Sequence, residues 1–177
     1  MKRLKTIISM ICMLSVVLYS CKSEVDQESG EQSEQSENYQ KVTPDDIGDL
    51  KFTEYVLSDK AVDVTKDWLK FKELNNQIEL LKTSDLSFFA DDITLLEGFL
   101  TDLEAEIPEI LKETSILVRL SALKTTIYKF EGSATLQRES KEAVLQSISD
   151  LLVAHSNLIF QINKKLEKDA QQIQKPQ

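Results

Sequence analysis

Apolar residues recur at alternating steps of three and four through most of residues 47–177. That spacing traces one face of an α-helix and predicts a helical domain. A short first element starts at Thr43-Pro44-Asp45-Asp46. Threonine caps, proline suits the first helical position, and acids favour the positive end of the helix dipole. Phe52, Tyr55 and Val56 are expected to tuck against the core behind it. The first long helix is predicted from Ser58 to Lys82, on the stripe Ala61, Val64, Trp68, Phe71, Leu74, Ile78 and Leu81. The second is predicted from Asp85 to Glu106. There Leu86, Phe89, Ile93, Leu96, Leu100, Leu103 and Ile107 keep a seven-residue repeat, the spacing of coiled-coil packing. Gly98 inside it costs about 1 kcal/mol against alanine and marks a place where another helix approaches closely.

Pro108 breaks the pattern. A third helix follows from Thr114 to Glu131, on Ile116, Leu120, Leu123, Ile127 and Phe130, with Gly132 as a left-handed stop. The fourth runs from Ser140 past Asp169, on Ile148, Leu152, His155, Ile159, Ile162 and Leu166. At about 30 residues it spans roughly 45 Å. Gln171–Gln177 are expected to fray. The predicted fold class is all-α: an elongated antiparallel helical bundle of three to four long helices after a disordered acidic N-terminal tether. Three long helices with an irregular N-terminal piece is the alternative. No internal repeat is evident, which argues against a solenoid.

Upstream the pattern changes. Residues 22–45 are rich in Glu, Gln and Ser and nearly free of apolar side chains. Such a stretch cannot bury enough surface to offset the entropy of ordering, so it reads as a disordered linker. The predicted organisation is a signal peptide over 1–20, a lipidated cysteine and acidic linker over 21–46, and a helical bundle over 47–177. The chain carries a net charge of −9, which becomes −12 once Lys2, Arg3 and Lys5 are removed with the signal. An acidic surface gains nothing from phosphate backbones, so no nucleic-acid partner is expected.

The N-terminus has three basic residues, Lys2, Arg3 and Lys5, then an uncharged, mostly apolar run from Thr6 to Leu18. Thirteen residues are too few to span a bilayer core, which needs about 20. The run ends in Leu18-Tyr19-Ser20-Cys21, which resembles the lipobox of type II bacterial signal peptides. The resemblance implies a diacylglyceryl group on the Cys21 thiol, cleavage after Ser20 and acylation of the new amino terminus. Acyl chains contribute about 0.8 kcal/mol per buried CH₂, and two or more anchor stably. The acidic start from Lys22-Ser23-Glu24 through Asp26 resembles export signals of Bacteroidota surface lipoproteins, implying a cell-envelope protein on the outer membrane. Asp85-Leu86-Ser87-Phe88-Phe89, Glu106-Ile107-Pro108-Glu109 and the run Ser156 to Lys165 make the mature chain similar to small helical lipoproteins of flavobacterial type. That group carries over no activity.

Candidate chemistry is sparse. Cys12 leaves with the signal and Cys21 carries lipid, so the mature domain has no thiol for a disulfide, a zinc site or a nucleophile. His155 is the only histidine, whereas bundle di-iron sites need at least two. No glycine-rich phosphate loop is present. We expect no metal and no cofactor. His155 with Asn157 and Gln161, the last two four residues apart on one helical face, forms a candidate polar patch. Trp68, Phe71 and Tyr128 form a candidate ligand platform, although the stripe position of Trp68 equally suits a core residue. The pairs Asp91-Asp92 and Glu104-Glu106 could serve acid–base chemistry or bind calcium loosely, while solvated helix faces account for them as well. The expected function is a non-enzymatic, lipid-anchored structural or protein-binding module, partnered by another protein or by itself. A small apolar-ligand binder with a pocket between helices is the alternative.

Overall fold

A computed structural model describes residues 42–90, 92–136 and 139–171. The signal, the lipidation site Cys21, the acidic linker up to residue 41, Asp91 and the last residues 172–177 lie outside the described residues. The described residues are all-helical, with no strand among them. In chain order the helices are α1 (Pro44–Gly48), α2 (Asp59–Thr65), α3 (Leu69–Lys82), α4 (Ser87–Ala90), α5 (Ile93–Ala105), α6 (Thr114–Thr135) and α7 (Lys141–Ala170). A 3-10 turn, Glu109–Leu111, follows Pro108 and joins α5 to α6.

Helices α6 and α7 form the spine. The hydroxyls of Ser133 and Ser147 lie 2.6 Å apart. Lys129 pairs with Asp150, and Lys165 reaches Glu113. As the α6 number falls the α7 number rises, so the two helices are antiparallel. The α7 stripe is buried as its periodicity predicts, from Ile148 to Leu166. By length and composition α7 could cross a membrane. Here its apolar side is the core, and a buried core helix passes the same test. Helices α1 and α2 pack on α7, α4 and α5 pack on α6, and α3 packs on α5 and α1.

The start of the domain is capped as its sequence predicts. Thr43 and Asp46 form a capping box, and Pro44 opens α1. The Asp46 carboxylate also bonds Lys141 at the foot of α7. That ammonium, with the Thr43 donors, holds the Asp46 carboxyl down at about 2. Val42 belongs to the buried core. Ordered structure therefore begins by Val42, ahead of the boundary expected at residue 47.

Three sequence expectations need correction. The helix expected over 58–82 is broken at Lys66–Trp68 into α2 and α3. The run Asp63-Val64-Thr65 has weak helix propensity. Trp68 leaves helical geometry (φ −83°, ψ 80°) to donate its indole N–H to Leu103 O at 2.8 Å. The amino end of α3 is then capped from a distance: the Glu106 carboxylate accepts from Lys70 N at 3.0 Å. The helix expected over 85–106 is likewise split into α4 and α5, because Asp92 acts as an N-cap for Thr94 N. The break turns Ile93 out of the heptad seam to 39% exposure and brings in Phe99 instead. Val56, expected in the core, is 78% exposed, and Tyr55 is on the surface as well.

Two glycines also behave differently from expectation. Helix α6 runs through Gly132 to Thr135 with no positive φ at the glycine. A Cβ added at Gly98 or Gly132 would meet nothing within 4 Å, so no helix crowds Gly98. Both sit in helices without using their conformational freedom. Gly98→Ala and Gly132→Ala are each expected to raise stability by about 0.5–1 kcal/mol in urea unfolding. Trp68→Phe should lower it by about 2–3 kcal/mol, because it leaves a void and an unpaired Leu103 carbonyl.

Candidate functional site

The main polar feature of the domain is where residues 51–58 cross α7. Phe52, Thr53, Tyr55 and Val56 favour extended backbone. Among the described residues, 51–57 make no backbone–backbone hydrogen bond. Four backbone groups of residues 53–58 are met instead by two α7 side chains. Ser156 Oγ donates to Thr53 O at 2.7 Å and accepts from Tyr55 N at 2.8 Å. Asn163 Nδ2 donates to Val56 O at 2.8 Å, and its Oδ1 accepts from Ser58 N at 2.9 Å. Each side chain therefore binds the carbonyl of one residue and the amide of the residue two further on.

The spacing explains why both can do so. Ser156 and Asn163 are seven residues apart, two helical turns on one face, or about 10.5 Å. Thr53 and Val56 are three residues apart in extended chain, or about 10 Å. The strap and α7 run parallel with matching repeats. Between the two clamps the Tyr55 ring rests on Phe160, with centroids 4.7 Å apart. Glu54 pairs with Lys82 of α3, which also binds Glu79.

His155 lies next to Ser156 and is 8% exposed. Its Nε2 is 2.7 Å from Asn75 Oδ1 of α3. With an acceptor there, Nε2 carries the proton and donates it. Burial pushes the His155 pKa down to about 4; the positive charge of Lys82 acts the same way and Glu54 opposes it.

The predicted polar patch is not brought together. Asn157 lies two residues, or about 200°, around α7 from His155 and is exposed. Gln161 lines a different feature, a polar hollow of about 480 Å³ shared with Glu113, Ser115 and Lys168. Of the predicted platform, Trp68 and Phe71 stack at 4.7 Å, fully buried. Tyr128 stands on α6 at 37% exposure. Asp92 serves as the α5 cap, Glu104 pairs with Lys124, and Glu106 caps α3. Among the described residues no group of three or more His, Cys, Asp or Glu could hold a metal ion. Comparison with protein-family models, curated proteins and solved structures finds no match for this chain.

Sequence reasoning missed Ser156, Asn163 and Asn75. One signal was present: two small polar residues seven apart, beside an apolar stripe, share a helix face. Nothing local said what they bind, since their partners lie 101 to 107 residues away.

His155 makes stability depend on pH. The folded chain holds its proton only below about 4, whereas the unfolded chain takes it up near 6.5. The unfolded state therefore binds more protons between those values. This contribution to stability is complete above pH 6.5 and falls away as the pH drops towards 4, by up to about 3 kcal/mol. Urea unfolding of wild type and His155→Gln at pH 7, 5.5 and 4.5 should show the slope in wild type and its loss in the variant.

Proposed function

We propose that this chain is a lipid-anchored cell-envelope protein whose domain acts as a non-enzymatic helical structural or protein-binding module. One observation carries the reading: the four buried polar residues among those described are committed to bonds inside the domain, and Ser115 Oγ, beside the hollow that Gln161 lines, is the one buried side-chain polar atom among them without a partner. Thr65 donates to Ala61 O, and Ser147 bonds Val144 O and meets Ser133. His155 meets Asn75, and Ser156 holds the strap. Groups satisfied in this way maintain a shape and leave no poised nucleophile or base. The lipobox Leu18–Cys21 supplies the anchor, and the acidic linker holds the domain away from the lipid. The α6–α7 hairpin supports reading the domain as an elongated antiparallel bundle that offers long polar faces to a protein partner or a second copy. The acidic charge disfavours nucleic acid.

A second reading, an apolar-ligand binder, is favoured by a hollow of about 400 Å³ beside Val56, Leu57, Leu166 and Ala170. Native mass spectrometry of freshly purified chain separates the two, since the module predicts no co-purified small molecule.

Growth with an alkyne-labelled palmitate tests the anchor. Wild type should carry the label and partition with membranes, and Cys21→Ser should do neither. A wild-type chain without bound fatty acid overturns the assignment. Turnover in an activity screen that His155→Gln abolishes would overturn the non-enzymatic reading.

A further inference from the structure

We propose that residues 51–58 form a strap that can leave α7 while the rest of the domain stays folded, and that protonation of His155 beneath it favours the open form. The strap is lightly held. No residue from Gly48 to Lys60 is fully buried, and the apolar contacts that release gives up are those of Phe52 and Leu57, half-buried against the core. The hydrogen bonds of residues 51–57 run through Ser156, Asn163 and Lys82. Segments with few buried apolar contacts and side-chain-only attachment open at lower free energy than the global transition. Both ends are firmer. The Thr43 capping box and the Asp46–Lys141 pair fix α1, and Ala61 is fully buried in α2.

The trigger adjoins the clamp residue Ser156 on α7 and faces Asn75 of α3. Ser156 bonds the residues on either side of Glu54, and Glu54 reaches Lys82, whose charge bears on the His155 ring. A proton on Nδ1 would add a second cation near Lys82 on a ring that is only 8% exposed. Opening the strap draws away Glu54, an anion that favours the charged ring, but it admits solvent, and hydration of the imidazolium is the larger effect because burial is the first cause of its lowered pKa. The charged groups facing His155 are Lys82 of α3, with Glu79 on the same ammonium, and Glu54 of the strap. Of the cations on the other elements packed on α7, Lys60 of α2 bonds Leu166 O, Lys124 and Lys129 of α6 pair with Glu104 and Asp150, and Arg119 of α6 is exposed. On α1, Asp46 is held by Lys141. The open form presents a track on α7, with Ser156 and Asn163 unpaired two turns apart, matched to extended polypeptide backbone.

Amide hydrogen exchange on the full chain, corrected for the intrinsic pH dependence of exchange, tests this. The amides of Tyr55 and Ser58 should open more readily than those of Leu152 and Ile159 in the middle of α7. Their opening constant should rise from pH 7 to pH 5, by up to about 20-fold, the limit reached if the open form hydrates the ring fully so that it titrates near 6.5 against about 4 when closed. His155→Gln keeps a hydrogen-bonding group opposite Asn75 and should abolish the rise. Glu54, Lys82 and Glu79 remain in that variant, so a surviving pH dependence belongs to them and overturns the role of His155. Ser156→Ala should speed exchange at Tyr55 at pH 7 with Leu152 unchanged. Strap amides that open only with the core, in wild type and in Ser156→Ala alike, overturn the strap itself.

Discussion

An extended segment laid against a helix has carbonyls and amides that neither element's own ladder can satisfy, and burying them unpaired costs about 1–3 kcal/mol each. The seating of residues 51–58 on the domain depends on the way this is solved along α7. Helix α7 carries apolar residues over more than one side, with Leu151, Leu158 and Ala154 buried beside the main stripe. Helix α6 covers one side, and α1, α2 and the strap between them cover another. The strap can lie there because Ser156 and Asn163 offer a donor and an acceptor each, at the repeat of extended backbone. A helix repeat of two turns and a strand repeat of three residues nearly coincide, so two short polar side chains do the work of a partner strand.

The same economy shapes what the surface can offer. Polar groups that might have formed a reactive centre are spent on architecture: Glu106 caps α3, Asp92 caps α5, and the Trp68 indole joins α3 to the last turn of α5. Of the polar positions on α7, Asn157 is exposed and Gln161 lines the hollow beside Glu113 and Ser115. The domain thus has an inner polar seam that maintains shape and outer polar faces that can meet a partner. The histidine belongs to the seam. Its burial ties folding to pH.

Much of the fold was legible where local rules act alone. The Thr43–Asp46 box, Pro44, the Ser140 cap and the whole α7 stripe follow from short-range preferences and a clean period. Sequence reading failed where a distant contact outweighed that period. The heptad through Ile93 is unbroken in sequence, yet Asp92 gains more as a cap than as a helical residue, and Ile93 turns outward. Trp68 keeps its stripe position but leaves the helix to reach Leu103 O. Gly132 reads as a stop because glycine often serves as one. Here α6 continues, since the last turn still packs Ala134 against the core. The strap contacts were illegible, because a serine on a helix does not show whether it faces water or a backbone a hundred residues away.

The most direct measurement compares one substitution at two places on the same helix. Asn157→Ala and Asn163→Ala gain the same helix propensity, so that gain cancels between them. Denaturant unfolding should find Asn163→Ala less stable than Asn157→Ala by about 1–2 kcal/mol, the loss of two hydrogen bonds to backbone. Equal stability of the two variants would contradict the account, because it would mean that the amide of Asn163 holds nothing.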